Sequence, residues 1–263
     1  MSETWVMIEE GAMARTLTLN RPEKANALTH AMLESLAAGL DGPGAGVHVL
    51  RSAHHRLFCA GADIEEFVAG ESQLAGHGAA LLDLIRRRAS SPVPLVAIAR
   101  GKASGAGALL LALADVVIAA DDMEFGCPEI RFGMYPVIVE AVLRSRVSPA
   151  LATRLCLGQA MDAVEAHRAG LVTEVLPAGD FDALAAQRLA FYIERAGALR
   201  VARASGLRAQ PPEILEARVQ AVAPLMAENF AQCGVRERIT GYLGGLRREK
   251  AIQGAVDSTS HCL

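Results

Sequence analysis

Apolar and polar positions alternate over residues 16–20 (TLTLN) until Arg21-Pro22 interrupts them. A period of two in β-forming residues predicts a strand running into a loop. The period then lengthens. Thr29 caps a predicted helix with the apolar stripe Met32, Leu33, Leu36 and Leu40, and the glycine-rich turn 39–46 ends it. Residues 47–52 (VHVLRS) predict the next strand. Residues 74–89 predict an amphipathic helix closed by Arg86, Arg87 and Arg88, and residues 94–99 another short strand. From Gly105, GAGALLLALA predicts a short helix passing directly into a β-branched run over 115–119 and then Glu124-Phe125. A helix-rich stretch over 148–169 ends at Gly170 before the strand-like LVTEVL. Strand, turn, helix, strand recurs at roughly 45 residues per unit, which predicts a repeating α/β architecture. After Phe181 strand signals vanish, so residues 1–195 read as an α/β core and 196–263 as a mainly helical region, broken internally at Pro211-Pro212.

Composition narrows the class of function. With 26 basic and 29 acidic side chains and a net charge of -3, the chain is not a nucleic-acid binder that works by bulk positive charge. Its 52% hydrophobic content excludes a disordered tail, and only 4% is aromatic, so the core is built from Ala, Leu and Val. The longest apolar run, residues 103–120, contains Asp115 and two glycines, which predicts buried core and no membrane span. Cys59, Cys127, Cys156, Cys233 and Cys262 are odd in number and scattered, which fits a reducing, cytoplasmic setting better than a disulfide framework or a metal site. The N-terminal MSETWVMIEEG has no basic or apolar leader pattern, and the terminal SHCL matches no prenylation or convincing peroxisomal signal.

Three short segments carry candidate chemistry. In residues 58–64 (FCAGADI), small residues around a glycine let a ligand approach the backbone and leave N–H groups aimed at it. The plainer reading is a tight turn with Asp63 as a helix cap. Residues 101–108 (GKASGAGA) leave a strand and open a helix, where unpaired N–H groups favour developing negative charge, although close helix packing explains the glycines equally. In residues 125–130 (FGCPEI), Glu129 follows a proline in apolar surroundings, as a general base with a raised pKa would.

Taken with LTLNRPEKANAL (17–28) and the AHRAGLVTEVLP end (166–177), these motifs, in this order, resemble the crotonase, or enoyl-CoA hydratase/isomerase, superfamily over about 60% of the chain. The resemblance implies a spiral of repeated ββα units with C-terminal helices that assemble a homotrimer or a dimer of trimers. It implies an acyl-CoA substrate, with coenzyme A arriving as part of that substrate and no separate cofactor or metal. The thioester oxygen would sit between the N–H groups of Ala62 and Ala106. Arg21, Lys24, Ala25 and Asn26 would lie near the CoA nucleotide, Ala60 and Ile64 along the adenine and pantetheine path, and Asp63, Gly105, Leu109 and Tyr135 around the substrate. Where relatives often carry Lys after the AGAD aspartate, this chain has Glu65.

Two departures bear on the reaction. Hydratases of the superfamily use two glutamates to hold one water. The position of the first is Leu109 here, and the second matches Glu129. The glycine-rich turn of the family is replaced by Val137-Ile138-Val139-Glu140. One base suffices to move a proton from C2 to C4 of a 3-enoyl-CoA, so the favoured expectation is double-bond isomerisation by Glu129. Glu140, one turn into a helix opened by Pro136, is the candidate second carboxylate for a hydratase. The same residues are compatible with a catalytically weak acyl-CoA binder, and with thioester hydrolysis or decarboxylation at the same pair of N–H groups. His54, His55 and the Asp162, Glu165, His167 set read as structural.

Overall fold

The computed structural model describes residues 4–41, 46–205 and 211–259, with side chains through Arg248. The end of the glycine-rich turn at 42–45 and the SHCL terminus lie outside the described residues. The strand predicted over 16–20 is part of β2 (Ala14–Leu19), and Leu17 and Leu19 are fully buried. Thr29 caps α1 (His30–Leu40) by accepting a hydrogen bond from the Met32 N–H at 3.2 Å, and Met32, Leu33, Leu36 and Leu40 form the buried stripe.

Strands β1 (Val6–Glu10), β2, β3 (Val47–Ser52), β4 (Leu95–Ala99), β6 (Val116–Ala120) and β9 (Glu174–Leu176) form one sheet in that order. All neighbours are parallel except β1 with β2. A smaller sheet holds β5 (Lys102–Ser104), β7 (Glu124–Gly126) and β8 (Met161–Asp162). The polypeptide alternates between the two sheets: β4 continues through Gly101 into β5, and β6 continues into β7. The parallel pairs force crossovers, and α3 (Glu71–Ser90) and α4 (Ala106–Ala112) supply two of them.

Strand β1 has no counterpart in the sequence expectation, because Val6, Met7 and Ile8 are followed at once by Glu9 and Glu10 on an exposed edge. The helix-rich stretch 148–169 divides into α6 (Pro149–Cys156), β8 and α7 (Ala163–Arg168). Helix α8 (Phe181–Glu194) packs on the large sheet through Phe181 and Ala185. Beyond it lie α9 (Ala196–Ala204), α10 (Pro212–Val222), α11 (Pro224–Phe230) and α12 (Val235–Thr259). Pro211-Pro212 opens α10, with Pro212 at its first position, where a missing N–H is harmless.

The C-terminal helices are tied to the α/β core by a buried charge cluster. Asp115 pairs with Arg88, and with Arg203 of α9 at 3.0 Å. Arg203 also donates to the backbone carbonyls of Arg88, Ala89 and Ser91, the orphan acceptors at the end of α3. No described helix is long and apolar enough to cross a membrane.

Candidate active site

The loop after β2 is built by two buried polar residues. Ala25 and Asn26 adopt left-handed backbone, with φ of 52° and 53°. The Asn26 side chain holds this conformation: its Oδ1 accepts from the Arg21 N–H at 2.8 Å, and its Nδ2 donates to Ser52 Oγ at 2.8 Å and to the Phe58 carbonyl at 3.0 Å. Arg21 turns inward too, donating to Asp63 at 2.6 Å and to the Ala27 carbonyl, beneath the Trp5 ring. Neither Arg21 nor Asn26 lines the cavity. The expected nucleotide contacts are thus internal struts, since both side chains are consumed in shaping the loop.

That loop is stitched to residues 58–64. The Ala60 N–H donates to the Ala25 carbonyl, the Leu28 N–H to Gly61, and the Asp63 N–H to Leu28. Asp63 also caps α2 (Ile64–Ala69), accepting from the Glu65 N–H at 3.0 Å. The Cys59 carbonyl accepts from the Ser104 N–H at 2.9 Å, which docks this segment against β5. Gly61, at φ +103°, passes so close that an added Cβ would lie 2.9 Å from the Ser104 carbonyl oxygen. The Cys59 thiol between these segments is pushed up to about 12 by burial.

These contacts bring Ala62 and Ala106 to one cavity of about 810 Å³, a size suited to a small-molecule ligand. Ala106 is the first residue of α4, where an N–H has no helical acceptor. The unusual backbone falls on Gly105, with φ +50° and ψ -116°, while Ala106 has an ordinary negative φ. The Ala106 N–H is therefore presented without strain at a non-glycine residue.

Glu129 reaches the same place from a 3-10 turn, Pro128–Phe132, after β7. A Cβ on Gly105 would lie 2.0 Å from Glu129 Oε1, so the absence of a side chain at 105 is what admits the carboxylate. Glu129 Oε2 is buried without a hydrogen-bond partner among the described residues, and burial pushes the acid up to about 7. The geometry provides two backbone donors and one poised carboxyl group, a combination that can stabilise an oxyanion and move a proton beside it.

Other predicted residues divide between the cavity and the interior. Lys24, Ala25, Ala60, Asp63 and Ile64 line the cavity. Lys24 Nζ lies 2.8 Å from Glu65, which also faces Arg247 at 3.8 Å. The hydrogen bond from Lys24 holds Glu65 below the usual carboxylate range despite some burial. Leu109 does not line the cavity: it is fully buried in the main core. Helix α5 (Val137–Leu143) starts after Pro136 as expected, and Val137 and Tyr135 line the cavity, but Glu140 does not. Its Oε1 accepts from Arg144 at 2.9 Å and from Thr153 at 2.8 Å, so the structure does not bring Glu140 together with Glu129. Burial, with a hydrogen bond to Glu140, pushes the Tyr135 hydroxyl up to about 12. Asp162 caps α7, and His167 faces the Val172 carbonyl at 3.0 Å.

Sequence reasoning missed the apolar end of the cavity, where α3 contributes Leu74, His77 and Leu81 and α11 contributes Met226 and Phe230. The i, i+3, i+7 spacing of the α3 residues was the available signal, a histidine set within an apolar helical stripe. It also missed Arg131, Arg238 and Arg247 at the lining, because the last two come from the distant α12.

Comparison with known proteins identifies the family. The enoyl-CoA hydratase/isomerase family profile matches residues 9–248. A probable enoyl-CoA hydratase of Mycobacterium bovis is 33% identical over 189 residues, covering 68% of this chain and 72% of that protein. The 2,3-dehydroadipyl-CoA hydratase of Escherichia coli is 37% identical over 171 residues, 61% of this chain and 65% of that protein. Among solved structures, an enoyl-CoA hydratase from Mycobacterium avium superposes with TM-score 0.76 at 27% identity, over 92% of this chain and 97% of that one. One from Bacillus halodurans superposes with TM-score 0.79 at 23% identity, over 90% and 100%, which speaks to the fold alone. With its motifs, fold and profile in agreement, the chain belongs to the enoyl-CoA hydratase/isomerase family.

Proposed function

We propose that this protein acts on an acyl-CoA thioester through an enolate, and that its reaction is the conversion of a 3-enoyl-CoA to the conjugated 2-enoyl-CoA. The observation that carries this reading is Glu129: among the carboxyl groups at the cavity it is the one whose pKa burial pushes up, and the position that matches the family's other glutamate is core Leu109. The thioester oxygen accepts from the Ala62 and Ala106 N–H groups. Glu129 removes a proton from C2, the C2–H electron pair forms the enolate, and the same carboxyl group returns the proton at C4 as the double bond moves into conjugation. No atom is gained or lost, so one base is enough. Each backbone donor is worth about 3 kcal/mol to the charged intermediate. Lys24, with Glu65 and Arg247 beside it, stands at the cavity as a cation for the CoA phosphates.

Hydration of a 2-enoyl-CoA is the second reading, favoured by the hydratase names of relatives at 33% and 37% identity. It needs a group besides Glu129 to hold the water, and Glu140 is engaged by Arg144 and Thr153. The two reactions separate in one experiment: purified protein on a 3-enoyl-CoA and on crotonyl-CoA, following the conjugated-thioester absorbance, beside Glu129→Gln. We expect turnover of the 3-enoyl substrate, negligible hydration, and a loss of about 10³-fold or more in kcat for Glu129→Gln. Fast hydration of crotonyl-CoA overturns the isomerase reading.

A further inference from the structure

One wall of the cavity is mostly hydrocarbon, with Phe67 of α2, Leu74 and Leu81 of α3, and Met226 and Phe230 of α11. One side chain breaks the pattern. His77 lies between Leu74 and Leu81 in α3, lines the cavity and is 1% exposed. Its Nδ1 lies 3.0 Å from Glu66 Oε2, and the same carboxylate accepts from the His30 N–H at 2.9 Å. An ionised carboxylate only accepts, so Nδ1 donates to Glu66, and in the neutral ring this leaves Nε2 as the acceptor. Nε2 has no hydrogen-bond partner among the described residues. The Phe67 ring meets the imidazole edge-on, 5.1 Å between centroids at 82°, and helps fix its plane. A leucine would fill this stripe without an unpaired polar atom. The histidine is instead oriented by a carboxylate that is itself held from a second side, an arrangement that fixes the direction of the free nitrogen.

We infer that His77 is a specificity-determining residue that accepts a hydrogen bond from a hydroxyl group carried by the acyl chain beyond the reacting carbons. The substrate class is then a hydroxylated acyl-CoA. This rests on the acyl-CoA reading above and is independent of whether the reaction is isomerisation or hydration. A hydroxyl group donates to the Nε2 lone pair and adds no charge to an apolar wall. A plain hydrocarbon end leaves Nε2 unpaired. A carboxylate end needs a protonated imidazole and places a second anion near Glu66.

The test uses saturated acyl-CoA thioesters, which lack the reactive double bond, so that calorimetry reads binding and not turnover. At each of several chain lengths the acyl group ends in methyl, hydroxyl or carboxylate. For the wild type we expect one length at which the hydroxyl-ended thioester binds about tenfold or more tighter than its methyl counterpart. His77→Leu abolishes or reverses that preference, and His77→Gln, which retains an acceptor, keeps part of it. Equal affinity for methyl and hydroxyl ends at every length overturns the inference, as does preference for the carboxylate or a hydroxyl preference that survives His77→Leu. The wild-type comparison decides the matter by itself should His77→Leu not fold. If none of the three thioesters binds at any length, the acyl-CoA reading falls and takes this inference with it.

Discussion

The wall of the cavity made by residues 58–64 and 101–107 presents backbone, whereas the wall made by α2, α3 and α11 presents side chains. In the first wall, glycines at 61 and 105 bring chain segments within contact distance, and the chemical groups are N–H donors whose positions follow from the backbone path. In the second, Phe67, Leu74 and Phe230 fill space, and Glu65, His77 and Asn229 supply polarity. The same cavity thus joins a part that tolerates little change with a part that can be re-lined one residue at a time. On the proposed reading, chemistry that every substrate shares falls to the backbone wall, and features that distinguish substrates fall to the side-chain wall.

The backbone wall breaks most severely when its buried strut is removed. Arg21→Ala leaves Asp63 buried without its 2.6 Å partner, and we expect a stability loss of about 3–5 kcal/mol, read as a shift in the urea midpoint. Next comes Gly105→Ala, which sets a methyl group against Glu129 Oε1 at a φ of +50°. Loss of the carboxylate's position should lower kcat by about 10²-fold while leaving the KM for the CoA ester within a few-fold. The gentlest perturbation is pH. Glu129 acts as a base only when ionised, so with its pKa raised to about 7, kcat should fall about tenfold for each pH unit below that value and level off above it. The raised value also means that the folded state binds this proton more tightly than the unfolded chain does, and stability from this group is lost as pH rises through 7. Glu129→Gln should therefore raise Tm more at pH 8 than at pH 5. These changes act on the backbone wall and on the Glu129 beside it, and the proposed hydroxyl preference should survive Gly105→Ala, since no contact at 105 reaches His77.

Legibility follows the same division. Glu129 stands out locally as a carboxylate after a proline in apolar surroundings, whereas Ala62 and Ala106 are legible through the resemblance to the family, whose glycine-rich motifs mark where backbone passes close to a ligand. The Thr29 cap, the stripe of α1 and the strand over 47–52 are local too. Arg21 and Asn26 mislead because the resemblance implies nucleotide contacts along their loop, and only the fold reveals that Asp63 takes up Arg21 and that Ser52 and the Phe58 carbonyl take up Asn26. Glu140 was legible as a helix position and illegible as a direction, because Arg144 and Thr153 decide which way its carboxylate turns. The Glu66–His77 contact joins two helices with an eleven-residue offset, and Gly70 between them sets the angle that makes the side chains meet.

The charge cluster under α9 has a bearing on the order in which the molecule is made. The last strand of the large sheet ends at Leu176, so a chain emerging from its N-terminus can complete that sheet with Asp115 already paired to Arg88 and the Leu95 N–H. The carbonyls of Arg88, Ala89 and Ser91 must then wait for Arg203, more than a hundred residues downstream of them, before they gain its guanidinium. Synthesis of α9 therefore acts as a latch on a half already formed, and a nascent chain halted before residue 203 should keep a sheet whose longest crossover helix is still fraying at its C-terminal end.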